Sequence, residues 1–411
     1  MKKDLDGFMA ADNLDALLIT GAGMHNPAMV YMTGGAHLTQ ADLIVKRGQT
    51  PILFHGPMER DEAAKSGLIA RSYSNYPNRE LLKLANGDMH LVKAIRYQRM
   101  FTDAGVTCGR VAIYGRVDIG QGFALITALQ KLMPEVEFIG GVQEDVLENT
   151  RFSKDPVEIE RIRQMGKVTT EVVGLTADFL TSQTVREGIL CRSDGQPWTI
   201  GDVKRKINLW LAERGAENPE DTIFAIGHDA GVPHSSGKPT DFLRLGQTIV
   251  FDIYPCEVGG GYFYDFTRTW CLGYASDEAQ QLYNQVLSVY QKVIKELKVN
   301  APFKDYQRLT CDLFESMGHP TILSKPDAEV GYVHSIGHGV GLNIHERPFS
   351  GGDSSDKDIL SPGTVITIEP GLYYPERGLG VRLEDTFWVT PEGKIDILAD
   401  YPRDLVLPVK V

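Results

Sequence analysis

The stretch Thr248–Trp270, TIVFDIYPCEVGGGYFYDFTRTW, constrains this chain most, because it reads as a β-hairpin carrying an aspartate on each arm. In the first arm Ile249, Phe251 and Ile253 alternate with Val250, Asp252 and Tyr254, the period of a strand. Gly259–Gly261 supply the turn, since glycine tolerates positive φ. The second arm is aromatic and β-branched and sets Asp265, Thr267 and Thr269 on one face. A turn near Val258-Gly259 predicts that Asp252 and Asp265 face each other directly, with Cβ atoms ~5 Å apart. Two like charges so placed repel unless a cation lies between them. A divalent metal is the simplest candidate.

Three further stretches extend this theme. His334–Glu346, HSIGHGVGLNIHE, is dense in histidine and glycine, as a backbone must be to approach a bound group closely; Gly339 and Gly341 are read as structural, not phosphate-binding. Val365–Gly371 is an apolar strand with Glu369 near its end. In Gly380–Thr386, Arg382 and Glu384 share a face, and the turn signal Pro375–Gly378 allows Glu369 to oppose Glu384. Four carboxylates buried together require compensating cations. Four oxygen ligands and one imidazole suit a pair of divalent ions such as Mn²⁺, Co²⁺, Zn²⁺ or Fe²⁺, and two ions ~3.5 Å apart lower the pKa of a bridging water.

The remainder of the chain sets the frame. With 411 residues there is room for two domains, residues 1–150 and 151–411. The first reads as an α/β unit. Its expected strands are Ala16–Thr20, Met29–Met32, Leu43–Val45, Ile52–Phe54 and Val111–Tyr114, with helices at Glu59–Lys65 and Gly122–Leu132. His25, His37, His55 and His90 are isolated within it. The second opens on Asp155-Pro156-Val157-Glu158, a helix start with the form of a capping box. Residues 186–200 read as a polar excursion, and amphipathic helices are expected over Ile200–Arg214, after Ser276, and over Phe303–Met317. This is an α+β pattern. The net charge of −12 argues against nucleic acid or an anionic membrane as partner. Five scattered cysteines and an N-terminus without an apolar core predict reduced thiols, no export signal and a cytoplasmic protein.

The ordered set Asp252, Asp265 in Asp-Phe-Thr-Arg-Thr, His338 in His-Gly-Val-Gly-Leu, Glu369-Pro-Gly and Arg382-Leu-Glu384-Asp resembles the pita-bread metallopeptidases. These comprise methionine aminopeptidase, aminopeptidase P, prolidase and the creatinase relatives. The likeness runs from about Lys154 to the end, and the N-terminal half resembles the smaller creatinase-type α/β domain, which points to the proline-specific members. The resemblance implies two divalent ions per subunit, manganese foremost, held by Asp252, Asp265, His338, Glu369 and Glu384. It implies Glu369 as general base, His345 as the group stabilising the tetrahedral intermediate, His234 and His334 as further pocket histidines binding substrate, and Arg382 tethering a ligand carboxylate. It further implies a homodimer and a peptide substrate with proline at its second position.

Two departures from the family pattern bear on these expectations. The aspartates stand two positions further apart than is usual, which lengthens each arm by one residue and preserves their facing. Dipeptide-cleaving members often carry an arginine where this chain has Phe349, with Arg347 just before Pro348. The expectation is therefore aminopeptidase P-like cleavage of the N-terminal Xaa-Pro bond, with prolidase action as the alternative. A non-catalytic peptide-binding relative, a creatinase-like amidinohydrolase, which should lack most of the acids, and a hydrolase of a non-peptide bond such as a phosphotriester rank below them.

Overall fold

The computed structural model describes residues 4–141 and 145–409, so the first three residues of the N-terminal stretch discussed above lie outside it. Contacts divide the chain into two compact units, residues 1–151 with 259–261, and residues 152–258 with 262–411.

The first unit is built on six strands: β1 (Ala16–Ala22), β2 (Gln40–Lys46), β3 (Ile52–His55), β4 (Ile69–Ser72), β5 (Gly109–Arg116) and β6 (Val136–Ile139). Their order is β4-β3-β2-β1-β5-β6, with β2 antiparallel to its neighbours and β1, β5 and β6 mutually parallel. Apolar side chains on both sheet faces fill two clusters under the flanking helices. The segment expected as a strand at Met29–Met32 is instead a helix, α1 (Pro27–Thr33). Pro27 occupies its first turn and Gly34 closes it with φ +71°, start and stop signals that outweigh a short apolar run. Helices α2 (Met89–Asp103) and α3 (Ile119–Leu132) cover the β1–β5–β6 side, each capped by an aspartate, Asp88 and Asp118.

The second unit begins with α4 (Pro156–Thr181), whose Asp155–Glu158 capping box forms as the sequence predicts. Residues 186–200 are more ordered than a polar excursion: Thr184–Arg186 and Ile189–Cys191 form a small hairpin before α5 (Ile200–Glu213). Strands β7 (Ile223–Ile226), β8 (Thr248–Ile253) and β9 (Phe266–Leu272) then lie side by side. Helices α6 (Asp277–Glu296) and α7 (Lys304–Ser316) bury one stripe each in a hydrophobic core of the unit. Last come β10 (His338–Gly339), β11 (Val365–Ile368), β12 (Gly371–Tyr374), β13 (Leu379–Arg382) and β14 (Asp385–Val389).

The β8–β9 hairpin turns one residue later than its sequence suggests. Gly259 and Gly260, both at positive φ (+91° and +79°), are the central pair, as a tight primed turn requires. A one-residue slip moves the pairing by two positions, so Asp252 faces Thr267 and not Asp265. Asp265 therefore lies one pleat further along the same face, diagonal to Asp252. A second pairing brings the acids of the later strands alongside. Thr267 and Glu384 exchange backbone hydrogen bonds, joining the end of β13 to β9. Ile368 pairs with Asp385 and Gly371 with Arg382, so Glu369 and Glu384 fall opposite each other where Pro370 interrupts the ladder.

Candidate metal centre

These strands aim four carboxylates and a histidine into one cavity of about 520 Å³. Asp252, Asp265, His338 and Glu384 are buried, and Glu369 is half-buried. Alternation along the chain decides which acid of the Glu384-Asp385 pair enters. Glu384 points into the cavity, while Asp385 turns to the other face and meets Arg268 at 2.8 Å and Arg403 at 2.7 Å.

The imidazole is oriented by its own backbone. His338 Nδ1 donates to the Gly339 carbonyl at 3.0 Å, which leaves Nε2 facing Glu369 Oε1 at 3.3 Å and Asp265 Oδ2 at 3.5 Å. Asp265, His338 and Glu384 each offer one ligand atom, all within 4.8 Å of one another. Asp252 Oδ2 accepts from Arg382, and Glu384 Oε2 accepts from the Thr267 hydroxyl at 2.7 Å. The other oxygen of each, Asp252 Oδ1 and Glu384 Oε1, is buried without a partner, as is Asp265 Oδ1. Buried acceptors of a charged group are rarely left unmet. Three such carboxylates lining the cavity that His338 also borders, two of them within ligand range of its ring, are the donor set of a divalent cation, so these residues fit the metal that the fold family implies.

Electrostatics point the same way. Burial, followed by repulsion from Asp252 and Glu369, holds the Asp265 carboxyl well above the usual range. Burial and the neighbouring Asp265 do the same to Glu384. Glu369 is pushed up to about 8, by burial first and Asp252 next, against the pull of Arg382. Burial lowers His338 to about 3 and thus keeps its ring neutral, the state in which imidazole binds a metal.

Around this cluster stands a shell of hydrogen bonds. Arg382 bonds Asp252, the Thr267 hydroxyl at 3.2 Å and the Tyr373 hydroxyl at 2.7 Å. Tyr373 in turn donates to His334 Nε2 at 2.9 Å, because His334 Nδ1–H is committed to the Ser335 carbonyl. The Thr367 hydroxyl accepts from the His338 N–H and approaches Glu369 Oε1 at 3.3 Å. His234 and His345 also line the cavity, both exposed, with the His345 ring centroid 4.3 Å from that of His338. All nine residues singled out from the sequence thus border the same cavity. Tyr373, Thr267 and Thr367 were not among them. Thr267 was legible as two positions past Asp265 on its face, whereas Tyr373 needs the β12–β13 pairing.

The glycines of the His334–Glu346 run approach protein, not a bound group. A Cβ on Gly339 would lie 2.2 Å from the Arg347 carbonyl oxygen, and one on Gly341 2.1 Å from Glu346 Oε1. That Glu346 carboxylate is paired with Lys154 at 2.5 Å, the side chains 3% and 1% exposed. The pair pins the loop carrying His345. Lys154→Met should leave an uncompensated buried charge and destabilise the unit by about 3–5 kcal/mol. A thermal melt measures this, and adding Glu346→Gln should restore part of the loss; a melt unchanged by Lys154→Met would deny the pair this role.

Compared with known proteins, residues 160–391 match the model of metallopeptidase family M24. The chain belongs to this family. Its pita-bread α+β fold and its class as a metallopeptidase follow from that membership and from the structural likeness below. An Xaa-Pro dipeptidase of Pyrococcus furiosus is 30% identical over 251 residues, 61% of this chain and 64% of that protein. An Xaa-Pro dipeptidase of Pyrococcus horikoshii is 26% identical over 394 residues, 95% of this chain and 94% of that protein. The crystal structure of a dipeptidase from Pyrococcus horikoshii superposes with a TM-score of 0.75 at 21% identity, covering 98% of this chain and 99% of that one. Among the described residues no helix is long and apolar enough to cross a membrane.

Proposed function

We propose that this M24 peptidase hydrolyses the bond between an N-terminal residue and proline, using two divalent ions held by Asp252, Asp265, His338, Glu369 and Glu384. The observation that carries the reading is one cavity lined by Asp252, Asp265 and Glu384, each with a buried oxygen lacking a partner, and by His338, which lies within ligand range of Asp265 and Glu384. When bound, such ions supply a water acidic enough to ionise near neutral pH and polarise the scissile carbonyl. The protein's own groups do the rest. Glu369, half-buried at the cavity wall, takes the proton from that water and delivers it to the prolyl nitrogen as the C–N bond breaks. His345 and His234 face the space a substrate carbonyl would occupy, where a ring N–H stabilises the oxyanion. Ile223, Pro233, Ile344 and Phe349 offer apolar walls for the pyrrolidine ring. Arg382 holds Asp252 in place, and Tyr373 holds His334. Manganese as the physiological ion, a homodimer and cytoplasmic residence belong to the same reading.

Within it we favour peptides longer than two residues. Arg347 is committed elsewhere, to Asp358 at 2.7 Å with its guanidinium 5.3 Å from the Phe152 ring, and the cavity wall at this point is Phe349. A dipeptide's carboxylate thus meets an aromatic ring where an arginine would bind it. The second reading, dipeptidase action, is favoured by the names of the curated relatives. The test is a panel of Xaa-Pro, Xaa-Pro-Yaa and Xaa-Ala-Yaa on protein loaded with Mn²⁺, Co²⁺ or Zn²⁺. Tripeptides with proline should exceed dipeptides in kcat/KM by about 10-fold or more, the scale of one charge-assisted hydrogen bond. Phe349→Arg should narrow that gap. Preference for the free dipeptide would establish the second reading, and equal cleavage of Xaa-Ala-Yaa would remove proline specificity.

A further inference from the structure

The first unit contains a second cavity, of about 410 Å³, that the hydrolytic reading does not use. It lies at the carboxyl ends of the parallel strands β1 and β5, bordered by Thr20 and Gly21 on one and Arg116 on the other. From these two ends the chain departs in opposite directions. After β1 it returns through α1 to β2, and after β5 it runs through α3 to β6 on the far side. Such a divergence opens a crevice at the strand ends, the place where open α/β sheets bind ligands. At Gly21 (φ +117°) a Cβ would meet the Arg116 carbonyl oxygen at 2.2 Å, so the backbones close together with no side chain between them.

The charge in this crevice is unbalanced. Lys93, Arg96 and Arg116 line it, and so does the amino end of α3 through Gln121 and Gly122. The two acids present are already engaged. Asp42 is buried and accepts from the Thr20 and Tyr97 hydroxyls at 2.5 Å each and from Tyr73 at 2.6 Å. Asp118 is folded onto the α3 terminus, accepting from the Gln121 N–H at 3.0 Å. On the donor side, Arg96 donates through Nη2 to the Asn78 side-chain oxygen and sits 5.7 Å from the Tyr73 ring centroid, while its Nε is buried with no partner. One unmet Nε donor on a half-buried arginine, two further cations and a helix amino terminus call for an anion.

We propose that this crevice is a binding site for a small organic oxyanion, a carboxylate or a phosphate monoester, separate from the metal centre. The exposed Arg116 and Lys93 capture the anion, and the half-buried Arg96 receives it. The site makes no use of the peptidase assignment and stands or falls without it.

Calorimetric titration of the full-length, metal-loaded protein tests the proposal with three probes: inorganic phosphate, succinate and L-proline. At least one should bind saturably, with Kd of about 1 mM or tighter, and the double variant Lys93→Gln/Arg116→Gln should weaken it by about 10-fold or more. Both substituted residues are exposed, so melting temperature and peptide hydrolysis should be unchanged in that variant. Binding of phosphate alone assigns a phosphate ester, of succinate a carboxylate, and of proline an amino acid. Absence of saturable binding by all three, or binding that the double variant leaves unaltered, overturns the proposal.

Discussion

Glu384→Gln and Asp265→Asn should each lower peptide hydrolysis by about 10³-fold or more and reduce the bound divalent metal. Each change replaces a carboxylate oxygen, at a position where the structure shows one buried and unpartnered, by an amide that donates. Glu384 has Asp265, Glu369 and Asp252 as charged neighbours, and Asp265 has Asp252 and Glu369. Removing one negative charge weakens the hold on cations whose contribution to the transition state is several kcal/mol, and each 1.36 kcal/mol is a factor of ten. The same change relieves repulsion when no cation is present. Melting of chelator-treated protein should therefore be unchanged or higher in the variants, while the metal-loaded wild type should be the more stable of the two. Elemental analysis and steady-state rates on the same preparations decide the matter. A variant with full metal stoichiometry and a near-normal rate would remove these acids from the ligand set.

His345→Ala should reduce kcat by about 10²-fold or more, the scale of losing one preorganised donor to the developing oxyanion, and leave metal content intact. The two readouts separate its role from that of its neighbour. His345 is exposed and its ring lies 4.3 Å from that of His338, whereas His338 is buried with Nε2 turned to the carboxylates. His338→Ala should lose metal and rate together. An effect of His345→Ala confined to KM would make it a binding residue, and an unchanged kcat would take it out of catalysis.

Much of the second unit was legible before any coordinates. Strong local signals set its helices, such as the Asp155–Glu158 capping box and the serine that caps α6. The acids stood out because each lies in or directly beside an apolar strand, where a carboxylate has no reason to be unless something meets its charge. Less was legible in the first unit. There the Met29–Met32 run was short enough to suit either period, and the proline and glycine at its ends, which decide for helix, are weak in isolation. The helices over Asn78–Leu84 and Met89–Asp103 were missed, since a half-polar sequence there carries no sharp start beyond Asp88.

What the amino-acid order determined by itself was the cast of the site: which acids and histidines stand in or beside its strands, because side-chain period and composition are local properties. Which of these face one another was decided only in three dimensions. A turn centred on Gly259-Gly260 displaced Asp265 two positions from its expected partner, and the Thr267–Glu384 bridge brought a strand more than a hundred residues away alongside it. The hydrogen-bond chain from Asp252 through Arg382 and Tyr373 to His334 likewise links four segments. Register is a cooperative outcome of turn geometry and pairing with distant strands, and a one-residue difference in a run of three glycines leaves no trace in hydrophobic pattern.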